Sequence, residues 1–362
     1  MTSPFSRLVT EASLSQRRRP TMRDVAALAG VSLKTVSRVV NSEPTVAAAL
    51  AERVRAAAAQ LSYQPNLTAS SLRRRDGRSS TIGLLVQDMA NPFSAAIFRA
   101  VEDVAAAAGM SVLAASMNED PDRERELATD LIARRVDGLI MVPAGRDHRY
   151  LQLEQRSGTA VVFADRPPAL LAADAVVADN RGGAAAGVRY LLGRGHRRIG
   201  YLGDLQSIAS AAERYAGYLE ALSEAGVPAD PSLACHGTRS QKQAAAACLE
   251  LLSGPTPPTA LFTAQNMITI GTVRALRQLG RERSIALVGF DDFELADLLQ
   301  PSVTVVAQDP GAMGKLSAEL LLRRIAAADE PPQLHVIPTR LMVRQSADIL
   351  PAARTGSPAE PG

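Results

Sequence analysis

The chain has 362 residues, 46% hydrophobic and 21% charged, with a formal net charge of +3. That length implies two or three domains. No apolar run reaches the ~18 residues of a membrane helix, and two cysteines, Cys235 and Cys248, make neither a disulfide framework nor a metal cluster. The first twenty residues lack the apolar core of a secretory signal, so the expectation is a cytoplasmic protein without metal or cofactor. The charge is unevenly placed. Residues 1–78 carry 13 Lys/Arg against 5 Asp/Glu, and the remainder carries 27 against 32. Cations gathered at one end are the electrostatic footprint of a nucleic-acid binder.

Residues 1–20 read as a disordered basic arm. Thr21–Asn41, TMRDVAALAGVSLKTVSRVVN, reads as two short helices. Thr21 is placed to N-cap the first, with Asp24 in its first turn. Val25, Leu28 and Ala29 give it an apolar face, and Gly30, free to take positive φ, ends it. Ser32 caps a second helix whose buried face is Val36, Val39 and Val40. So short a turn predicts a helix-turn-helix. Leu33, Lys34, Ser37 and Arg38 point away from the apolar face, where this motif reaches base edges in the major groove. Arg38 suits a bidentate contact to guanine, Lys34 suits guanine or phosphate, and Leu33 suits a thymine methyl. Val46, Leu50, Val54, Ala57 and Leu61 predict a third helix that closes the core. Its cap position holds Ala47, which costs the helix start ~1 kcal/mol relative to a hydroxyl residue. Tyr63-Gln64-Pro65-Asn66 breaks that helix. A polar linker with Arg73, Arg74, Arg75 and Arg78 follows.

From Ser80 the pattern changes to α/β. TIGLLVQD, MSVLAAS, DGLIMVP, VVFADR, AVVADN, RIGYLGD, TALFTAQN, IALVGFDD and SVTVVAQD read as strands between helices. Such alternation predicts parallel sheets covered on both faces. Nearly every strand ends in Asp, Asn, Arg or Gln, and ligands bind just past the carboxyl ends of strands in open α/β sheets. Asp179 and Asn180 read as a helix cap. Neither a glycine-rich phosphate loop nor a nucleophile elbow follows any strand, so no catalytic residue is assigned and an enzyme is not expected.

DVAALAGVS-x-x-TVSRVVN resembles the DNA-binding signature of the lactose-repressor (LacI/GalR) family, and the resemblance continues from about Thr21 to Ile349. It implies base reading by Leu33, Lys34 and Arg38, and phosphate contacts at or near Thr21, Ser32, Thr35, Ser37 and Asn41. It also implies a hinge helix in YQPNLTASSL whose Leu72 enters the minor groove, an apolar wedge that kinks the duplex. The remainder is expected to be similar to periplasmic sugar-binding proteins, two α/β lobes joined by three crossovers. The implied organisation is a helix-turn-helix domain at 21–65, hinge helix and linker at 66–78, and an effector-binding and dimerisation domain at 79–350. Within that domain, lobe one is placed at about 79–178 and 308–337, and lobe two at about 179–307 and 338–350. Residues 351–362 form a disordered tail.

By the same resemblance Asp88, Asn91, Phe93, Asp165, Arg166, Arg214 and Asp291 fall on the ligand cleft. Gln265-Asn266 stands where relatives have Asn-Asp, and Arg239 where many sugar-responsive relatives have an aromatic. Losing a carboxylate and gaining a cation shifts the expected effector toward a sugar acid or phosphorylated sugar. The implied function is a transcription repressor whose operator affinity is set by a small sugar-like effector. Its expected partners are a palindromic operator, that effector and a second copy of the chain; no leucine heptads provide for a tetramer, and no membrane is involved. A solute-binding receptor without a transcriptional role is the competing reading. It predicts a signal peptide or lipid-attachment cysteine and no helix-turn-helix.

Overall fold

Local capping sets the N-terminal helices. The computed structural model describes residues 19–40, 45–64, 78–326 and 330–351, and it separates Met1–Ser79 from Ser80–Gly362 as two units. In the first unit lie α1 (Met22–Ala29), α2 (Leu33–Val40) and α3 (Ala48–Gln60). The Thr21 backbone N–H and hydroxyl both donate to Asp24 Oδ2 at 2.7 Å. Gly30 takes φ 64°, and the Val31 N–H closes onto the Ala26 carbonyl at 3.0 Å, a Schellman ending that a Cβ at residue 30 would strain. Ser32 Oγ accepts the Thr35 N–H at 3.1 Å and starts α2. Val25, Ala26, Ala29, Val36, Val54 and Ala57 form the core.

Three details depart from the sequence reading. Leu28 is 46% exposed, and Ala26 takes the buried place expected of it. In a two-turn helix the 100° step turns residues 25, 26 and 29 toward the core and residue 28 aside. Val39 and Val40 are only half-buried. The third helix begins at Ala48 rather than Val46, behind an Ala47 whose side chain caps nothing, and Ala51 rather than Leu50 is fully inside. The hinge segment, the basic arm through residue 18 and the tail from residue 352 lie outside the described residues.

The second unit holds two six-stranded sheets. The first runs β11-β5-β4-β3-β1-β2 and the second β12-β10-β9-β8-β6-β7. Their strands are β1 (Thr81–Val86), β2 (Ser111–Ser116), β3 (Gly138–Met141), β4 (Ala160–Ala164), β5 (Asp174–Ala178) and β11 (Leu334–Ile337) in the first. The second has β6 (Ile199–Leu202), β7 (Ala234–Cys235), β8 (Ala260–Thr263), β9 (Ala286–Phe290), β10 (Thr304–Ala307) and β12 (Arg340–Met342). All pairings are parallel except β10 with β12. Leaving aside the late strands β11 and β12, the two sheets share one order, with β6 to β10 repeating the places of β1 to β5. The chain passes between them three times: after β5, after β10, and between β11 and β12.

Parallel strands joined this way need helices on both faces. The covering helices are α4 (Pro92–Ala107), α5 (Pro121–Ala133) and α11 (Pro310–Ile325) for the first sheet, with a short helix α6 (Gln152–Arg156), which buries no residue, between β3 and β4. For the second they are α7 (Asn180–Gly193), α8 (Ala209–Glu224), α9 (Gln241–Ser253) and α10 (Asn266–Gln278). One hydrophobic cluster fills the first lobe, and two lie on either side of the second sheet. Gly217 lets α8 meet α7 closely, since a Cβ there would lie 2.2 Å from the Arg181 carbonyl oxygen. The sequence reading passes over β7, β11 and β12. β7 has only two residues, and β11 is an edge strand with Leu334 and Val336 exposed, so neither makes a buried apolar run. Among the described residues no helix is long and apolar enough to cross a membrane.

Candidate functional site

Two places gather the residues singled out above. On α2, Leu33 and Lys34 are exposed at the N-terminus, Ser37 and Arg38 are half-buried one turn on, and Val36 faces inward. Residues 33, 34, 37 and 38 thus share one helix face. Ser32 Oγ lies 2.9 Å from Thr35 Oγ1. Thr21 spends its hydroxyl on Asp24. Asn41 and Leu72 lie outside the described residues.

The second place is a narrow cleft at the carboxyl ends of the strands, walled by both lobes, where open α/β sheets bind their ligands. Lobe one contributes Gln87, Asn91 and Phe93 from beyond β1, and Asp165 and Arg166 from the end of β4. Lobe two contributes Asp204 after β6, Ser210 and Arg214 on α8, Gln265 after β8 and Asp291 after β9. Gln308 comes from the crossover after β10.

Asp165 and Asp291 hold equivalent places in the repeated strand order. Each has positive φ, 65° and 69°. The Asp165 N–H donates to the Val176 carbonyl of β5 at 2.8 Å, and the Asp291 N–H to the Val306 carbonyl of β10 at 2.9 Å. Left-handed backbone is costly for most side chains and least so for Asp and Asn. Here it turns a carboxylate off each strand end and into the cleft.

Two guanidiniums are held against these acids. Arg166 meets the Glu119 carboxylate with both terminal nitrogens, at 2.7 and 2.5 Å, and donates to the Pro143 carbonyl at 3.0 Å. Burial opposes its charge, and the hydrogen bonds and charge of Glu119 outweigh it, so its pKa stays above the usual arginine value. Arg214 Nε donates to Asn180 Oδ1 and Nη1 to the Ala264 carbonyl, both at 2.7 Å. Its guanidinium lies 3.9 Å over the Phe290 ring and 3.7 Å from Asp291 Oδ2. Gln308 Nε2 donates to the other Asp291 oxygen at 2.5 Å. Behind Arg166, Glu124 of α5 accepts the N–H groups of Ala144 and Gly145 at 2.6 and 2.9 Å and the Tyr150 hydroxyl at 3.0 Å. His148 Nδ1 accepts the Ala169 N–H at 2.9 Å. These buried bonds pin the loops that carry Pro143 and Asp165–Arg166.

Burial pushes the Asp165 carboxyl above the usual aspartate range against the pull of Arg166 and Arg214. Burial also raises Asp204, and Arg239 lies near enough to oppose that rise. Asp165 Oδ1, Arg166 Nε, Gln265 Oε1 and Gln308 Oε1 are buried without a hydrogen-bond partner among the described residues. Three of these four are acceptors, so the walls are complementary to a molecule rich in hydroxyl or amine donors.

Of the expected cleft residues, Asn91, Phe93, Asp165, Arg166, Arg214, Gln265 and Asp291 come together on one wall set. Asp88 is exposed and accepts the Ala90 N–H at 2.9 Å. Asn266 is buried behind the wall, bonded to Asn91 at 2.9 Å. Arg239 is exposed and is not one of the lining residues, though it lies near enough to Asp204 to act on its charge. Asp179 caps α7 through the Gly182 N–H at 2.9 Å, whereas Asn180 positions Arg214 instead of capping. Sequence reasoning missed Asp204 and Gln308, though both follow a strand end and the same rule finds them. Glu119 had no such signal, because its partner is 47 residues away.

The chain is similar to known proteins along most of its length. Residues 21–66 match the bacterial regulatory proteins of the lacI family, and residues 188–347 match the periplasmic binding protein-like domain. It is 34% identical over 342 residues to the HTH-type transcriptional regulator CelR of Thermobifida fusca, covering 92% of this chain and 100% of that one. It is 32% identical over 330 residues to the ribose operon repressor of Escherichia coli strain K12, covering 90% and 99%. Among solved structures, the lac repressor dimer bound to operator and the anti-inducer ONPF aligns with TM-score 0.80 at 27% identity, covering 91% and 99%. The CelR–cellobiose complex aligns with TM-score 0.68 at 33% identity, covering 91% and 100%.

Proposed function

The chain belongs to the lacI family of bacterial regulatory proteins, and from that premise we propose that it is a homodimeric repressor released from or driven onto its operator by a neutral polyhydroxylated effector in the interlobe cleft. It is a DNA-binding transcriptional regulator. The observation that carries the effector reading is the trio of buried acceptors without donors, Asp165 Oδ1, Gln265 Oε1 and Gln308 Oε1. Sugar hydroxyls supply the missing donors. Charge argues the same way. The carboxylates of Asp165, Asp204, Asp291 and Glu119 outnumber the guanidiniums of Arg166, Arg214 and the nearby Arg239, so an added phosphate or carboxylate meets more acids than cations. Two of the relatives support this class, one being a ribose operon repressor and the other a regulator solved with cellobiose.

In this reading Leu33, Lys34 and Arg38 read bases and Thr21, Ser32, Thr35, Ser37, Asn41 and Leu72 assist at phosphates and the minor groove. Two copies present two such helices to a palindrome. The effector binds one arrangement of the lobes better than the other and shifts the balance between them.

The test is binding of the full-length protein to DNA upstream of its own gene, at two salt concentrations, with and without a panel of neutral sugars and their acid and phosphate forms. Sequence-specific binding with a steep negative log–log salt slope, changed by a neutral sugar, is the expected result. A response confined to the acid or phosphate forms would overturn the neutral-effector reading.

A further inference from the structure

The turn that sets the angle of α2 is held from a third helix. Arg53 precedes the buried Val54 on α3, and its Nη2 donates to the Ala29 carbonyl at 2.7 Å, across 24 residues. We infer that Arg53 is a positioning residue for operator recognition. It fixes the turn Gly30-Val31-Ser32, and through that turn the angle at which α2 presents Leu33, Lys34 and Arg38 to base edges. The inference rests on reading the chain as a sequence-specific DNA-binding protein.

The need for such a contact begins with α1. A helix leaves its last carbonyls without intrahelical donors. The N–H groups of Gly30 and Val31 return to Ala26 and Ala27, so the Ala29 carbonyl, at the turn itself, is satisfied from outside. α1 has no basic residue in its last turn, and the negative end of its dipole has no cation of its own. The Arg53 guanidinium supplies both the donor and the charge. The neighbouring Glu52 pairs with Arg55 instead. The seat is close. A Cβ on Gly30 would lie 3.2 Å from Arg53 Nη2, so the glycine that takes the left-handed backbone also leaves the guanidinium its room. Three residues separate α1 from α2. Val31 packs against the core, Ser32 spends its Oγ on the Thr35 N–H, and the Arg53 bond adds a directional restraint that apolar packing lacks. Arg53 is otherwise exposed, and a contact to DNA phosphate is the competing role. The two differ in electrostatic signature: neutralising one phosphate adds about 1 to the log–log salt slope, whereas a bond within the protein adds nothing.

The experiment compares the full-length parent with two variants. Arg53→Met keeps the aliphatic stem and the helix propensity and loses donor and charge; Arg53→Lys keeps a donor and the charge. Each is titrated, well below its melting transition, with the DNA sequence that the parent selects and with a scrambled duplex, at several salt concentrations. For Arg53→Met, affinity for the selected sequence is expected to fall about five-fold, the scale of one hydrogen bond, with scrambled-duplex affinity and both salt slopes as in the parent. Arg53→Lys is expected to recover most of that loss. A loss shared by both duplexes, with the slope smaller by about 1, makes Arg53 a phosphate contact and overturns the positioning role. A lower melting temperature with unchanged affinity for the selected sequence makes the bond a stabilising one only, and also overturns it. If the parent itself selects no sequence, the DNA-binding reading falls and the inference falls with it, an outcome seen before either variant is made.

Discussion

Asn266 Nδ2 donates to Asn91 Oδ1 at 2.9 Å, a buried hydrogen bond from one lobe to the other. The same Asn91 oxygen accepts the Phe93 N–H at 3.0 Å and so caps α4. Asn266 Oδ1 accepts the Met267 N–H at 2.7 Å, which aims the amide nitrogen across the gap. One bond therefore ties the first turn of α10 to the first turn of α4, and it exists only while the lobes are together.

Asn266→Ala removes this tie and leaves Asn91 its cap. The closed arrangement should lose about 1 kcal/mol, and effector affinity should fall about five-fold if the effector selects that arrangement. Calorimetry reads this directly. Unchanged affinity would mean that the bond contributes nothing to closure.

Asp165 and Asp291 separate charge from backbone. Asn tolerates the left-handed conformation that both adopt, so Asp165→Asn and Asp291→Asn remove charge alone. Effector affinity should fall at least about ten-fold in each, the scale of a hydrogen bond to a charged group. Alanine adds backbone strain of about 1 kcal/mol or more and should also lower the melting temperature. Asn variants that bind as tightly as the parent would show that neither carboxylate touches the effector.

Acid should abolish effector binding before it unfolds the domain. Burial raises the Asp165 and Asp204 carboxyls. A raised folded pKa means that the folded protein takes up protons first, so the ionised acceptors disappear as pH falls through that raised value. Glu124 behaves oppositely. Burial raises it, but the His148 imidazole 3.3 Å away and the N–H groups of Gly145 and Ala144 together hold it below its ordinary value. Its stabilising contribution is present above the unfolded carboxyl pKa and is lost only as pH falls through the lower folded one. Titrations at descending pH, each paired with a circular dichroism melt, test the order. Affinity that stays flat down to the unfolding pH would contradict it.

On the DNA-binding face, Lys34→Ala should weaken binding similarly on all sequences and reduce the salt slope by about 1 if Lys34 contacts phosphate. Arg38→Ala should cost about 1–3 kcal/mol and relax specificity at one base pair. Electrophoretic or fluorescence binding on single-substitution operators distinguishes the two. A uniform loss from Arg38→Ala would demote it to a phosphate contact.

Ala47 leaves the start of α3 without a side-chain cap. Ala47→Ser should stabilise that helix by roughly 1 kcal/mol, seen as slower amide exchange in α3 of the full-length protein. Exchange no slower than in the parent would place the limiting opening elsewhere in the unit.

The helix-turn-helix was legible because its signals are local. Thr21 with Asp24, Gly30, and Ser32 with Thr35 each act within a turn of helix, and a face of four residues on α2 follows from helical period. The parallel sheets and polar strand ends were legible for a similar reason, since burial on both faces writes continuous apolar runs into the chain, and the turn that follows each run lies at the ligand edge. What tertiary structure alone decided was which of those polar ends converge and which partner neutralises each charge. Asn180 meets Arg214 across 34 residues and Glu119 meets Arg166 across 47. Arg239 follows the short strand β7 yet stays outside the cleft, while Gln308 enters it from a crossover. Such pairings depend on how two sheets are brought edge to edge by three chain crossings. A residue's neighbours in sequence carry no record of that, because the forces that select the pairing, desolvation and electrostatic complementarity, act only after the lobes have formed.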